Sequence, residues 1–205
     1  MAPRAQVDVR PIRRDELGAL ARVLGRAFDD DPVMNFVFPQ RPVAPRAEVL
    51  LGIFAAMHLD DEAVYVAVDR SSGEIVGGTV WAPPGRWQVP MYRYVPHLPR
   101  LLRAAGLQGL KKIPILTAME KHHPREPHQY LAVIGTDPDH QGRGVGTALL
   151  EPVLAHCDEA GLPAYLESSK ASNVPYYARF GFEVTREFPL QGGPPLFFMW
   201  RPAPD

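Results

Sequence analysis

The segment from Tyr130 to Gly146 constrains the fold of this chain more than any other part of it. It begins with an apolar run, Leu131 to Ile134, that has the length and composition of a strand. A turn signal follows at Thr136 to Asp139, and then come the glycine-rich string Gln141 to Gly146 and a helical pattern of apolar residues. A strand that leads through such a turn into a helix exposes the unpaired N–H groups of the helix N-terminus, which bind anions. The sequence therefore predicts a phosphate site at this turn.

The glycine spacing distinguishes between the known kinds of phosphate loop. A P-loop has a lysine directly after its last glycine, whereas Thr147 follows Gly146 here. A dinucleotide fingerprint has the spacing GxGxxG, whereas this chain has Gly142-x-Gly144-x-Gly146. Neither pattern fits, although the glycines still allow a phosphate to approach the backbone.

Length and charge narrow the class of protein. The 205 residues fit a single domain, residues 1–205, with 46% hydrophobic and 22% charged residues. The net charge of −1 provides no general attraction to nucleic acid or to an anionic membrane. There is no apolar run of membrane-spanning length and no leader-like segment, and Cys157 is alone. We expect a cytoplasmic protein with neither a nucleic acid nor a membrane as partner.

The order of predicted elements indicates an α/β fold. It runs strand, helices, strand hairpin, helices, strand, helix, strand, helix, strand, strand. The predicted strands are Gln6 to Ile12, Ala63 to Val68, Glu74 to Ala82, Leu131 to Ile134, Ala164 to Ser168, Phe182 to Phe188 and Pro195 to Trp200. The predicted helices are Asp15 to Phe28, Pro45 to Leu59, most of Met91 to Glu120, Gly144 to Ala160 and Asn173 to Phe180.

Three blocks of the C-terminal part resemble the GNAT superfamily of N-acetyltransferases. They are the strand with the string QGRGVG, the strand YLESS, and the block NVPYYARFGF, and together they are particularly similar to the puromycin N-acetyltransferase-like members. The resemblance implies a GNAT fold, with a mixed central sheet of about seven strands flanked by helices and splayed strands at an acetyl-CoA site. It also implies two halves: residues 1–127 on the acceptor side, with a helical insertion, and residues 128–201, which bind acetyl-CoA.

The same resemblance assigns the acetyl-CoA contacts. Pantetheine would pair with the central strand, where a backbone N–H could polarise the thioester oxygen, and pyrophosphate would lie on the turn. Each of these residues also has an explanation without a ligand: the strand residues would pack in the sheet core, Arg143 would be a solvated surface charge, and Asn173 would be a helix N-cap. The implied contacts are Val133, Ile134, Gly135, Gln141, Gly142, Arg143, Gly144, Val145, Gly146, Thr147, Asn173 and Tyr177.

Catalysis needs a proton for the leaving thiolate and a base for the amine. Tyr177 occupies the family's general-acid position, four residues before Gly181, and otherwise would be a packed aromatic; we expect only one of Tyr176 and Tyr177 to face the sulfur. Many members of the family have, near the start of the central strand, a glutamate that acts as the general base; this chain has Tyr130 at that position. The candidate bases are His128, two residues before Tyr130 and so on the same face of the strand, and Glu167 on the next strand. If His128 is not a base, it belongs to a hydrophilic loop before the strand.

The acceptor is assigned less directly. Asp30 and Asp31 are candidate contacts for a cationic amine, with turn chemistry as the alternative explanation for the two carboxylates. Trp87, which lies in a loop, is the candidate for lining an apolar acceptor pocket, with a place in the core as its alternative. The histidines near residue 122 lack the spacing of a metal site. We predict an N-acetyltransferase that transfers acetyl from acetyl-CoA directly to an amine, in a ternary complex, as a monomer or homodimer. The alternatives are a catalytically silent acyl-CoA sensor and a protein lysine or N-terminal acetyltransferase.

Overall fold

A computed structural model describes residues 6–112 and 120–204, and one seven-stranded mixed sheet organises them. The strand order across the sheet is β1-β2-β3-β4-β5-β7-β6. Only β4 and β5 run parallel, and every other neighbouring pair is antiparallel. The strands are β1 (Val7–Pro11), β2 (Val64–Asp69), β3 (Ile75–Ala82), β4 (Gln129–Thr136), β5 (Ala164–Ser168), β6 (Glu183–Pro189) and β7 (Pro195–Arg201). The predicted α/β class and the number of strands are confirmed.

Helices cover both faces of the sheet. They are α1 (Leu17–Ala27), α2 (Pro32–Val37), α3 (Ala44–Met57), α4 (Leu98–Leu110), α5 (Val145–Ala160) and α6 (Val174–Ala178). The predicted helical stretch from Met91 begins as a 3₁₀ turn, Met91–His97, before α4. Its later part, residues 113–119, lies outside the described residues. No helix in the described part of the chain is both long enough and apolar enough to cross a membrane.

Two adjacent glycines of β3 allow helices to lie close to both faces. A Cβ on Gly78 would stand 2.4 Å from Leu20 of α1. A Cβ on Gly77 would stand 2.9 Å from Val145 of α5, because successive residues of a strand point to opposite faces. Helices α1 and α5 are therefore fixed against opposite faces of β3, and the elements beside the phosphate turn are fixed with them.

The sheet opens between β4 and β5. Their parallel pairing includes only three residue pairs, between residues 129–131 and residues 164–166. Along the β3–β4 pairing, Val80 faces Val133 and Trp81 faces Leu131, so Ala132 is an extra, bulged residue. A bulge increases local twist and bends the strand that carries it. Beyond the bulge, no described strand pairs with β4 on its β5 side, and a cleft forms there.

Candidate active site

A cavity of about 490 Å³ occupies the opening between β4 and β5. It extends from the glycine-rich turn, past the free edge of β4, to α6 and the end of β5. Nearly all of the residues that the family resemblance assigned to acetyl-CoA line it. They are Val133, Ile134, Gly135, Gln141, Gly142, Gly144, Val145, Gly146, Thr147, Asn173 and Tyr177. One continuous cavity therefore joins the predicted phosphate site to the candidate catalytic groups.

The turn has the backbone of an anion site. Gly142 and Gly144 have φ angles of +72° and +84°, a left-handed conformation that side chains disfavour. Gly144 is the N-cap of α5, and no side chain caps that helix. The first N–H groups of the helix, including those of Val145 and Gly146, have no acceptor within the helix. They are available to a bound phosphate, which the helix dipole also favours.

The cations at the cavity differ from the predicted one. Arg143 is exposed and is not a lining residue, whereas Arg179 and Lys170 both line the cavity. The Arg179 guanidinium lies 5.0 Å from the centre of the Tyr176 ring, within the range of a cation–π contact. Sequence reasoning missed both residues, although Arg179 stands inside the quoted block NVPYYARFGF.

The two tyrosines of α6 both line the cavity, and the expectation that only one of them faces the sulfur stays a prediction. Tyr177 is buried, and burial, reinforced by Tyr176 and Asp31, raises the pKa of its phenol. Tyr176 lies against the phosphate turn, where a Cβ on Gly146 would come within 2.8 Å of its hydroxyl oxygen. Asn173 occupies the N-cap position of α6, but its side chain makes no capping hydrogen bond, so its amide is available to a ligand. Of the two tyrosines, Tyr176 thus lies at the phosphate end of the cavity, and Tyr177 is the candidate for the catalytic end.

Glu167 lines the cavity from β5. Its carboxylate accepts a hydrogen bond of 2.5 Å from the Tyr130 hydroxyl of β4. The position at which many family members carry a glutamate therefore supplies a hydroxyl, and the neighbouring strand supplies the carboxylate. Burial, together with the Glu167 charge, raises the pKa of Tyr130 well above its ordinary value, so Tyr130 stays a donor.

Behind Glu167 lie two buried histidines. His128, the other predicted base, does not line the cavity; its Nε2 lies 3.0 Å from Nε2 of His123. His123 Nδ1 in turn lies 3.5 Å from Glu167 Oε1. The Trp87 ring stacks on His123, with 3.8 Å between ring centroids. Burial lowers the pKa of His128 and favours its neutral form. The sequence analysis assigned no catalytic role to His123.

The residues predicted to contact the acceptor occupy three different positions. Asp31 lines the cavity, but one of its oxygens caps α2 by accepting from Val33 N and Met34 N, both at 2.9 Å. Its other oxygen accepts from the Ser169 hydroxyl. Asp30 is exposed and pairs with Lys170 Nζ at 2.6 Å. Trp87 touches His123 rather than the cavity itself. The turn chemistry considered for the carboxylates is thus present at Asp31.

The described residues offer no group of three or more His, Cys, Asp or Glu that could hold a metal ion. Cys157 is buried in α5, and burial raises the pKa of its thiol to about 11. Such a thiol is almost entirely protonated near neutral pH and is a poor nucleophile.

The splayed sheet has an anion-binding turn at one end of the opening and a tyrosine and a carboxylate at the other, so it can hold a phosphate-bearing donor beside groups that accept and donate protons. The profile of the Acetyltransferase (GNAT) family matches residues 30–182. The chain belongs to this family, whose acetyl donor is acetyl-CoA, and it is an acyl-CoA-dependent acetyltransferase.

Relatives and solved structures agree with this assignment. An uncharacterized N-acetyltransferase of Schizosaccharomyces pombe is 31% identical over 175 residues, which cover 79% of this chain and 68% of that protein. The structure of a Corynebacterium glutamicum protein described as histone acetyltransferase HPA2 and related acetyltransferase has a TM-score of 0.72, is 27% identical, and covers 100% of this chain and 98% of its own. Arylalkylamine N-acetyltransferase 2 of Aedes aegypti shares the fold, with a TM-score of 0.66, 15% identity and coverage of 97% and 99%.

Proposed function

We propose that this protein transfers the acetyl group of acetyl-CoA directly to the amine of a small molecule. The single observation that carries the proposal is the continuity of the cavity, because its lining includes Gly144 of the phosphate turn, Tyr177 and Glu167. The bound donor supplies the acetyl thioester. The turn and the first N–H groups of α5 hold its phosphates, and the free edge of β4 holds its pantetheine arm.

The protein's groups then divide the proton chemistry. Glu167 accepts a proton from the acceptor's ammonium group, which makes the nitrogen nucleophilic. Tyr177, whose raised pKa keeps it protonated, donates to the departing thiolate. The Tyr130 hydroxyl holds the Glu167 carboxylate in place at the cavity wall.

Direct transfer is favoured over an acetylated enzyme by the state of the candidate nucleophiles. Cys157 lies inside the core and does not line the cavity. The Ser169 hydroxyl donates to Asp31, and that of Ser168 donates to the Lys170 carbonyl oxygen. Neither serine hydrogen-bonds a histidine that could act as its base.

A small acceptor is favoured by the contacts at the end of β5. The Lys170–Asp30 pair and the Ser169–Asp31 hydrogen bond join this end to the segment between α1 and α2. Asp31, Ser169 and Lys170 all line the cavity, and we infer that the contacts among these segments leave less room for an extended peptide. The likeness of the C-terminal blocks to puromycin N-acetyltransferase-like proteins, and the arylalkylamine named for the Aedes aegypti structure, support the same choice. The histone acetyltransferase named for the Corynebacterium glutamicum structure makes a protein acceptor the alternative to test.

The test is a screen for amine-dependent release of CoA thiol. Aromatic amines, linear polyamines, an aminonucleoside and lysine-containing peptides are each offered with acetyl-CoA, and thiol is followed with a disulfide reagent, to which the buried Cys157 contributes little. We expect turnover with at least one small amine and an intersecting initial-rate pattern. Parallel lines with a labelled acetyl-enzyme would contradict direct transfer. Turnover of peptides alone would indicate a protein acetyltransferase, and CoA binding without any turnover would indicate a sensor.

Glu167→Gln provides the matched variant, since glutamine preserves the shape of the side chain and can still accept from Tyr130. Loss of a general base typically lowers the rate by about 10²–10⁴-fold. The variant should therefore bind acetyl-CoA normally and transfer acetyl slowly. An unchanged kcat would exclude Glu167 as the base.

A further inference from the structure

Two buried histidines, His123 and His128, lie beside Glu167 and are hydrogen-bonded to each other. The protonation of these rings follows from their partners. His128 Nδ1 lies 2.6 Å from the Glu126 carbonyl oxygen. A carbonyl oxygen only accepts, so His128 Nδ1 carries a hydrogen. In neutral His128, Nε2 is then a bare acceptor.

The tautomer of His128 determines that of His123. Because His128 Nε2 accepts, His123 Nε2, at 3.0 Å, must donate. Neutral His123 therefore has a bare Nδ1. That nitrogen faces Glu167 Oε1 across 3.5 Å, so two acceptors stand opposite each other with room for one proton between them.

We propose that His123 is the proton-holding partner of Glu167, so that the carboxylate and the imidazole together take the acceptor's proton, while His128 sets the tautomer that leaves His123 Nδ1 free. This inference rests on the proposed function, and it assigns a role to a residue that touches neither substrate. His123 is thus a positioning residue that acts through Glu167.

The proton balance is complete. The acceptor's ammonium loses one proton to the Glu167 carboxylate, which passes it to His123 Nδ1 and leaves an imidazolium beside a carboxylate. After the C–N bond forms and the C–S bond breaks, the thiolate takes the Tyr177 proton. The nitrogen's second proton restores that phenol. One proton per turnover remains on the Glu167–His123 pair and is released to solvent.

The geometry suits this exchange. The 3.5 Å separation exceeds a good hydrogen bond by about 0.5 Å, a closure within reach of a small rotation of the glutamate side chain. The His123 ring is fixed meanwhile, since Trp87 stacks on it and the Tyr130 and Tyr165 rings meet it edge-on at 4.8 Å and 4.9 Å.

Other charged and titratable groups surround the pair. Arg186 of β6 bonds to the neighbouring His122 at 2.8 Å and influences Tyr165. The remaining groups, from β4, β5 and the segment before β4, are Glu120, Glu126, Tyr130 and Tyr165. Burial raises the pKa of both tyrosines, so these phenols stay neutral through the working range.

The kinetic test is His123→Gln. Glutamine can still donate to His128 but cannot hold the proton. With an acceptor amine found by the screen, kcat/KM should fall tenfold or more near pH 7 while the KM of acetyl-CoA stays the same. The deficit should shrink toward about pH 10, where a primary amine reaches the site already deprotonated. His122→Gln, in the adjacent exposed position, should behave as wild type.

A deficit of the same size at every pH would overturn the proposal, because a packing defect does not depend on the protonation of the acceptor. The double variant His123→Gln/Glu167→Gln should be no slower than Glu167→Gln alone, since His123 acts only through Glu167. A clearly slower double variant would also count against it.

An NMR experiment tests this inference separately from the proposed function, because the experiment needs only the folded wild-type protein and no substrate. Long-range ¹H–¹⁵N spectra of histidine-labelled protein should show His128 as the Nδ1–H tautomer and His123 as Nε2–H. A His123 with bare Nε2 would overturn the relay even if amine acetylation is found. The predicted tautomers without any acetyl transfer would place the failure in the proposed function instead.

Discussion

Gly144→Val tests the phosphate turn, and its effect can be worked out from the backbone. Gly144 has φ +84° and is the N-cap of α5. Holding a residue with a side chain in this left-handed conformation costs about 1–2 kcal/mol, with a β-branched residue at the upper end. If the turn keeps its shape, the variant loses that much stability, and each kcal/mol lowers the melting temperature by about 2–4 °C in a chain of this size. If the turn relaxes instead, the N–H groups no longer converge on one phosphate.

The added side chain also limits the approach of the ligand. A hydrogen bond to a charged group contributes about 1.5–3 kcal/mol, so losing one weakens binding by roughly 10- to 150-fold. We therefore expect acetyl-CoA affinity, measured by calorimetric titration of the folded variant, to fall at least tenfold. Gly192→Val is the matched control, since Gly192 has φ +69°, open space around it and no place in the cavity lining. It should lose similar stability and no affinity. Equal affinities for all three proteins would refute the assignment of the turn.

Three further results are expected. Tyr177→Phe should lower kcat at least tenfold with little change in the KM of acetyl-CoA. Tyr176→Phe should act mainly on that KM, because the hydroxyl it removes lies against the turn. Steady-state kinetics under chemistry-limited conditions would show the reverse if the two roles were exchanged. Trp87→Ala should lower kcat/KM for the acceptor and leave the KM of acetyl-CoA unchanged, because Trp87 supports His123 rather than the turn; an equal effect on both would contradict this placement. The ion pair with Arg10 holds the pKa of Glu16 at about 2, so the pair stabilises the fold above about pH 4.5 and loses this effect as the pH falls through 2. The difference in unfolding free energy between wild type and Glu16→Gln should therefore disappear over that pH window. A constant difference would refute the pairing.

Much of the fold could be predicted because its signals are local. The strand period, the helical stripes and the glycine-rich turn are properties of short segments. The predicted elements match the observed ones within a few residues, except for the stretch from Met91, where the α-helix begins only at Leu98. The motif blocks also identified almost all of the cavity lining on the α5 and α6 sides. Arg143 shows the limit of this reasoning, since a position in a motif does not determine where a long side chain points.

The acceptor side depended on contacts between distant segments. Tyr130 reaches Glu167 only because β4 and β5 pair in one register, and a slip of one residue would turn every side chain to the opposite face. His123 joins them from a segment whose local pattern indicates nothing but a polar loop.

The amino-acid pattern was thus sufficient for the class of fold and for the phosphate end of the site, where backbone N–H groups do the binding and glycine spacing is visible in the sequence. The cluster of Glu167, His123 and His128 depends instead on the register between β4 and β5 and on burial. Those features arise from long-range packing, which no single segment encodes.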